Sequence, residues 1–177
     1  METGLLLLRV MLGVLLIGHG LQKAVGWFHG PGLRAAASLF ENWGFRPGQP
    51  MVVLAASCEV LAGSLLIVGL GTPLAAAITI GTMAVAATPS TPNGLWAARG
   101  GFELPLVYAV LGAVIALTGP GSLSIDALIG VSLPTWSGAV AIAVGVLGSA
   151  VPLRQRRLAL RHTERAGTLP GSRLPAD

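Results

Sequence analysis

Charge is what this sequence has least of. Of its 177 residues, 10% are Asp, Glu, Lys or Arg, whereas a soluble globular domain carries about 25%. So few charged side chains cannot hydrate a folded surface, and an ordinary soluble domain is excluded. Hydrophobic residues make up 53% and the mean hydropathy is +0.77, which excludes a chain that is disordered along its length. Cysteine is scarcer still. Cys58 stands alone, so no intrachain disulfide, Cys-x-x-Cys redox pair or cysteine zinc site can form. A lone thiol in apolar surroundings is hard to ionise, and Cys58 reads as a packing residue although Glu59 follows it. Before Leu5–Leu8 there is no basic segment, and no small-residue cleavage site follows them. The first apolar stretch is therefore expected to stay in a membrane rather than be removed as a signal peptide.

What is abundant is apolar sequence, in runs of membrane length. The length suits one domain, and a spanning helix needs about 20 mostly apolar residues. The expected architecture is all-α, a polytopic transmembrane helical bundle over residues 1–153 with spans at about 5–25, 51–70, 73–88, 102–118 and 135–151. A basic tail follows at 154–177, with its last residues from Gly167 expected to be disordered. The boundary between the second and third spans is dictated by length. No charged residue occurs from Val60 to Ala98, and a single helix over that stretch would reach roughly 58 Å, far beyond one bilayer. Gly69-Leu70-Gly71-Thr72-Pro73 is the place to turn, since glycine ends helices and proline starts them. The fifth stretch lies between Pro134 and Pro152 and is uncharged. Residues 26–49 form too long a connector to be bare. Within them Leu33–Trp43 reads as a short amphipathic helix, and Trp27, Phe28, Phe40, Trp43 and Phe45 are interfacial types.

The charges that are present sort by position. Residues 1–153 balance to zero, and residues 154–177 carry six Arg against Glu164 and Asp177, which is the whole net charge of +4. The basic cluster directly follows an apolar span and no groove-reading motif accompanies it, so a cytoplasmic membrane flank is expected rather than a nucleic-acid surface. With five spans and this tail inside, Lys23, Arg34, Arg46 and Arg99 also fall inside and only Arg9 lies toward the outside. The positive-inside rule thus predicts a multi-pass protein of a bacterial cytoplasmic membrane, N-terminus outside and C-terminus cytoplasmic.

An ionisable group at membrane depth is costly unless paired or wet, and so marks a candidate site. Span one carries Arg9, His19, Gln22 and Lys23, span two carries Glu59, and span four opens with Glu103. Depth along each helix suggests pairing His19 with Glu59 and Lys23 with Glu103. The candidate binding set is His19, Gln22, Lys23, Glu59, Glu103 and Arg9, with no catalytic residue assigned and no metal-ligand set. Arg9 alone is expected to snorkel to headgroups, and Asp126, after Ser122–Ser124, to cap a helix. Gly13, Gly18, Gly20, Gly63, Gly69, Gly81 and Gly112 fall within spans and are expected to let helices approach closely, some of them making room for a flat ligand. The same polar cluster equally suits a purely structural lock between helices.

Four stretches carry a family resemblance over roughly residues 5–130. They are Arg9-Val-Met-Leu-Gly13 through His19-Gly-Leu-Gln-Lys23 and Gly26-Trp-Phe28; Glu59-Val-Leu-Ala-Gly63 with Gly69-Leu-Gly-Thr72; Gly101-Phe-Glu103; and Gly119-Pro-Gly-Ser-Leu-Ser-Ile-Asp126. Their order and spacing resemble the DoxX family. The resemblance implies a four-span helical core, to which this chain adds a fifth span and the basic tail. It also implies a link to redox chemistry, since relatives include the membrane subunit of a thiosulfate:quinone oxidoreductase and a membrane partner of superoxide dismutase and a sulfurtransferase. No haem, flavin or iron–sulfur motif is present here, so electrons would have to be carried by a quinone or by a partner's cofactor. Three functions follow as expectations: a membrane subunit of a redox complex with a quinone-sized site at the polar cluster; a non-enzymatic anchor for soluble redox enzymes at the cytoplasmic face; and a small carrier or lipid-handling protein. Membrane lipids are the implied surroundings, and an oligomer is compatible with the sequence.

Overall fold

A computed structural model describes residues 1–167. Among these the α-helices are α1 (Glu2–Val25), α2 (Gly32–Asn42), α3 (Gly48–Val68), α4 (Thr72–Ala87), α5 (Glu103–Thr118), α6 (Ile125–Leu128) and α7 (Ser137–Gly167). Glycine sets the closest crossings. A Cβ added to Gly13 would lie 2.6 Å from the Gly63 carbonyl, and one added to Gly20 would lie 2.9 Å from the Ala56 carbonyl. Rising positions on α1 thus meet falling positions on α3, and the two helices pack antiparallel. In lipid no hydrophobic force drives helices together, so such backbone approach supplies the attraction. The chain then reverses at Gly69 (φ 68°) and Gly71 (φ 58°), both in the left-handed region that favours glycine, and Pro73 sits in the first turn of α4.

α4 is the central helix. Gly81 of α4 and Gly145 of α7 meet backbone to backbone, a Cβ on Gly81 lying 2.8 Å from the Gly145 carbonyl, and Ala76, Ala77, Ala116 and Ala141 gather α4, α5 and α7 in one alanine cluster. The register makes α4 parallel to α7 and antiparallel to α5. Consequently α1 starts, α3 ends, α4 starts, α5 ends and α7 starts at one end of the bundle, here the near end. The far end holds the C-terminus of α1, α2 and the start of α3. A larger core of Leu12, Leu16, Ala62, Leu66, Ala75, Met83, Tyr108 and Ile115 joins α1, α3, α4 and α5.

α1, α3, α4, α5 and α7 overlie the five apolar stretches of the sequence, and α7 runs on beyond its stretch. α1, α3, α4 with its following 3₁₀ turn, and α7 are long and apolar enough to cross a membrane; α5 is apolar but shorter. The fold is that of an all-α, multi-pass membrane protein. Where Pro152 was expected to end the fifth span, α7 continues through it to Gly167. Proline removes one backbone hydrogen bond and can be carried as a kink. Here the emerging segment is held from outside: Arg156 Nε donates to the Trp43 carbonyl at 2.7 Å, the Arg156 guanidinium lies 5.7 Å from the Phe45 ring centre, and the Leu160 side chain packs on Gly44. The last stretch of the expected disordered tail, residues 168–177, lies outside the described residues.

At the near end one buried carboxylate fastens three elements. Asp126 is 3% exposed. Its Oδ1 accepts from the Gly71 N–H at 2.9 Å, and its Oδ2 accepts from the Thr72 N–H at 3.0 Å and hydroxyl at 2.9 Å. It does cap a helix, but α4 rather than its own; Ser124 caps α6 by accepting from Ala127 N–H. Burial pushes the Asp126 carboxyl up, but the hydrogen bonds from Thr72 and Gly71 and the charge of Arg9 outweigh it and hold the group below its ordinary value. A carboxyl with a lowered folded value adds stability that is complete above its unfolded value of about 3.9 and is lost as pH falls through the folded value. Asp126→Asn is therefore expected to cost ~2 kcal/mol at neutral pH, or ~4–8 °C in the thermal midpoint of the detergent-solubilised protein, and to flatten the acid limb of its stability profile. An unchanged midpoint at neutral pH would show that the carboxylate does not hold α4.

Candidate functional site

Glu59 sits midway along α3 and is 2% exposed. A carboxylate there needs a counter-charge, and Lys23 provides it. From the last turns of α1 its ammonium reaches both carboxylate oxygens, at 2.5 Å each, with 24% of the Lys23 side chain exposed. The expected pairing is thus corrected: Glu59 takes Lys23, not His19, and Glu103 takes neither. Lys23 has the reach, because α1 lies tight on α3 through Gly13 and Gly20, while Glu103 is drawn into the α4–α5 connector, where it accepts the Ala97 N–H at 2.8 Å.

His19 faces α5 instead. Its Nδ1 lies 3.1 Å from Gln22 Oε1, and its Nε2 lies 3.4 Å from the Tyr108 hydroxyl, the two rings being 5.7 Å apart. Tyr108 is buried and supplies the contribution from α5 that sequence reasoning assigned to Glu103. The one signal for it was being the only tyrosine of the chain, in the middle of an otherwise apolar span. His19, Gln22, Lys23, Glu59 and Tyr108 therefore gather between α1, α3 and α5.

Arg9 is not part of this group. It lies toward the near end, fully buried, with Nη2 donating to the Leu123 carbonyl at 2.5 Å. Its Nε and Nη1 find no acceptor among the described residues. The expected snorkelling to headgroups is overturned because the loop carrying α6 folds over the guanidinium. Gly69 makes room for it: a Cβ there would collide with Nη1.

On the other side of the Lys23–Glu59 pair the bundle opens. α3 and α7 both lean on α4 and leave between them a groove of about 560 Å³, within the range of ligand pockets. α4 forms its floor (Leu74, Ala77, Ile78, Gly81, Thr82, Val85), α3 one wall (Met51, Leu54, Cys58, Glu59), and α7 the other (Val144, Gly145, Gly148, Ser149). Phe40, Trp43 and Phe45 close the far end and Lys23 reaches in from α1. The lining is otherwise almost wholly apolar, so the ion pair is its polar anchor. Of the candidate set, the groove takes Lys23 and Glu59; His19 and Gln22 stand behind them, and Glu103 and Arg9 lie elsewhere. The groove itself was invisible in the sequence.

A bundle of apolar helices crossing a bilayer, with charged groups paired at membrane depth, defines a polytopic integral membrane protein. The DoxX family profile matches residues 4–91, which cover α1 to α4 and therefore the Lys23–Glu59 pair, and this chain belongs to the DoxX family. The Gly101-Phe-Glu103 and Gly119–Asp126 stretches lie beyond the matched residues. Comparison with curated proteins and with solved structures gives no match.

Removing one partner of a buried pair strands the other charge, at about 3–5 kcal/mol, whereas replacing both by apolar residues of similar volume is close to neutral. Lys23→Met is thus expected to lower the thermal midpoint sharply, and Lys23→Met with Glu59→Leu to recover most of the loss. Additive effects in this double-mutant cycle would show that the two side chains do not act as a pair.

Proposed function

We propose that this protein is a membrane subunit of a redox system that binds a quinone-sized small molecule in the groove between α3 and α7, beside Lys23 and Glu59. The observation that carries the reading is a balanced ion pair placed on the wall of an apolar groove at membrane depth. A lock between helices would be served by a pair sealed within the α1–α3 interface; both members of this one line an open volume. Lys23 has three N–H donors and gives two to Glu59, leaving one for a ligand oxygen. The link of the DoxX family to redox chemistry favours a quinone as that ligand, with His19, Gln22 and Tyr108 as hydrogen-bonding groups behind the carboxylate.

The test is saturable quenching of tryptophan fluorescence by a benzoquinone, read on Trp43, which lines the groove. Trp43→Phe is expected to remove most of the saturable component, and Lys23→Met with Glu59→Leu to weaken binding about tenfold, the worth of a single polar contact. Quenching that rises linearly, with no saturation in the wild-type protein, would refute the reading.

The proposed setting is the bacterial cytoplasmic membrane with the far end cytoplasmic. Support comes from the positive-inside rule, since Arg34, Arg46, Arg99, Arg154, Arg156, Arg157 and Arg161 all belong to far-end segments. The exposed Arg154, Arg157 and Arg161 on the α7 extension favour a second role at that face, docking soluble redox enzymes through acidic surfaces. In a Cys58→Ala background, Leu128→Cys is expected to react with a membrane-impermeant maleimide in intact cells and Arg157→Cys only after the cells are opened. The reverse pattern would invert the topology.

A further inference from the structure

The groove's two halves differ, and the difference specifies the ligand more narrowly. Gly81 and Gly145 are required by packing, because a side chain on either would strike the other helix's backbone. Gly148 is not. An added Cβ there meets nothing within 4 Å among the described residues, although glycine is a poor helix former. Gly148 lies about one turn further along α7 than Gly145, toward the far end, and lines the groove in the half that also holds Lys23 and the aromatics Trp43 and Phe45. Its missing side chain widens that half alone. The near-end half, past Ile78 to Leu74 and beside Val144, has only apolar walls.

Charge narrows the occupant further. Lys23 and Glu59 already neutralise each other, so an anionic or cationic head beside them would bring an unpaired charge to membrane depth. An uncharged carbonyl oxygen needs only the free Lys23 N–H. We propose that the groove takes an uncharged, carbonyl-headed lipid, with a flat head between Lys23 and Gly148 against the aromatic wall and an apolar tail running along α4 toward the near end. The ligand enters sideways from the bilayer between α3 and α7. This rests on the quinone-site reading and adds to it the orientation, the tail and the charge of the head.

Three arms test it on the full-length protein in lipid nanodiscs. A benzoquinone with a decyl tail ending in a photoreactive diazirine is expected to leave adducts on Leu74, Ile78 or Val144; adducts concentrated on Phe40 and Trp43, or spread over the outer surface at Leu7 and Leu117, would overturn the proposed orientation. Gly148→Trp is expected to weaken saturable binding of the decyl-quinone at least about tenfold with the circular-dichroism melt unchanged, and Gly148→Leu, a smaller intrusion into the same open space, to weaken it less. Binding unaltered by either folded variant would remove Gly148 from the site. Oleate, an anionic head on a longer apolar tail, is expected not to displace the decyl-quinone; effective displacement would overturn the requirement for a neutral head. Absence of saturable binding by any benzoquinone would instead defeat the underlying quinone-site reading, whereas binding with the wrong adducts or with oleate competition defeats this inference alone.

Discussion

A buried carboxylate in a bilayer cannot stand alone, and the far half of this molecule is arranged around that fact. Glu59 is placed at mid-depth on α3 by the register of its crossing with α1, and the same crossing brings Lys23 within reach. Gly13, Gly20 and Gly63 come first in this chain of causes. They let two backbones approach closely enough for a lysine on the last turns of α1 to span to the middle of α3. A bulkier residue at any of them would push the helices apart and strand both charges, so the glycines and the ion pair stand or fall together.

The near end meets a similar demand differently. Arg9 is buried as completely as Glu59 but has no carboxylate in direct contact among the described residues. Its charge is met through space by Asp126, whose own oxygens are used by the start of α4, and by the Leu123 carbonyl. Arg9, Asp126 and the Gly69–Gly71 turn thus form one knot linking α1, the α3–α4 turn and α6. The knot sets where α4 begins, and through α4 it sets the spacing of α3 and α7. The groove is a consequence: two helices held against a third at fixed places, with no contact required between them.

Much of this was legible in the sequence, and the failures share a cause. Spans, the Gly69–Gly71 turn and the amphipathic helix following Gly32 followed from composition and length, which are local properties. The importance of Lys23 and Glu59 followed from the cost of charge in lipid. What could not be read was who faces whom. Depth alone pairs Glu59 with His19, yet Lys23 lies only one turn further along α1, and the rotation of α1 against α3 gives Glu59 to Lys23. Glu103 looked like a site residue because a charge at a span's start is ambiguous between cap, loop clasp and ligand. Tyr108 was passed over because a phenol carries no charge to draw attention. Pro152 misled for the reverse reason: a strong local rule yielded to tertiary contacts of Arg156 and Leu160 that no local pattern contains.

The groove's surroundings constrain how it can select. In water an apolar channel of this kind would gain affinity from every methylene it buried. In a bilayer that gain vanishes, because a tail leaves one hydrocarbon environment for another. Lipid tails are always at hand to fill the space between α3 and α7, so a specific ligand must displace one and be distinguished by what a lipid tail lacks. The two features of the groove that a tail cannot use are the unspent donor of Lys23 and the lateral room opposite it at Gly148. In the proposed site, recognition would therefore fall on the head, while the tail would serve only to bring the molecule to the right depth and direction. A site built this way would need few polar residues, and so would suit a chain with so little charge.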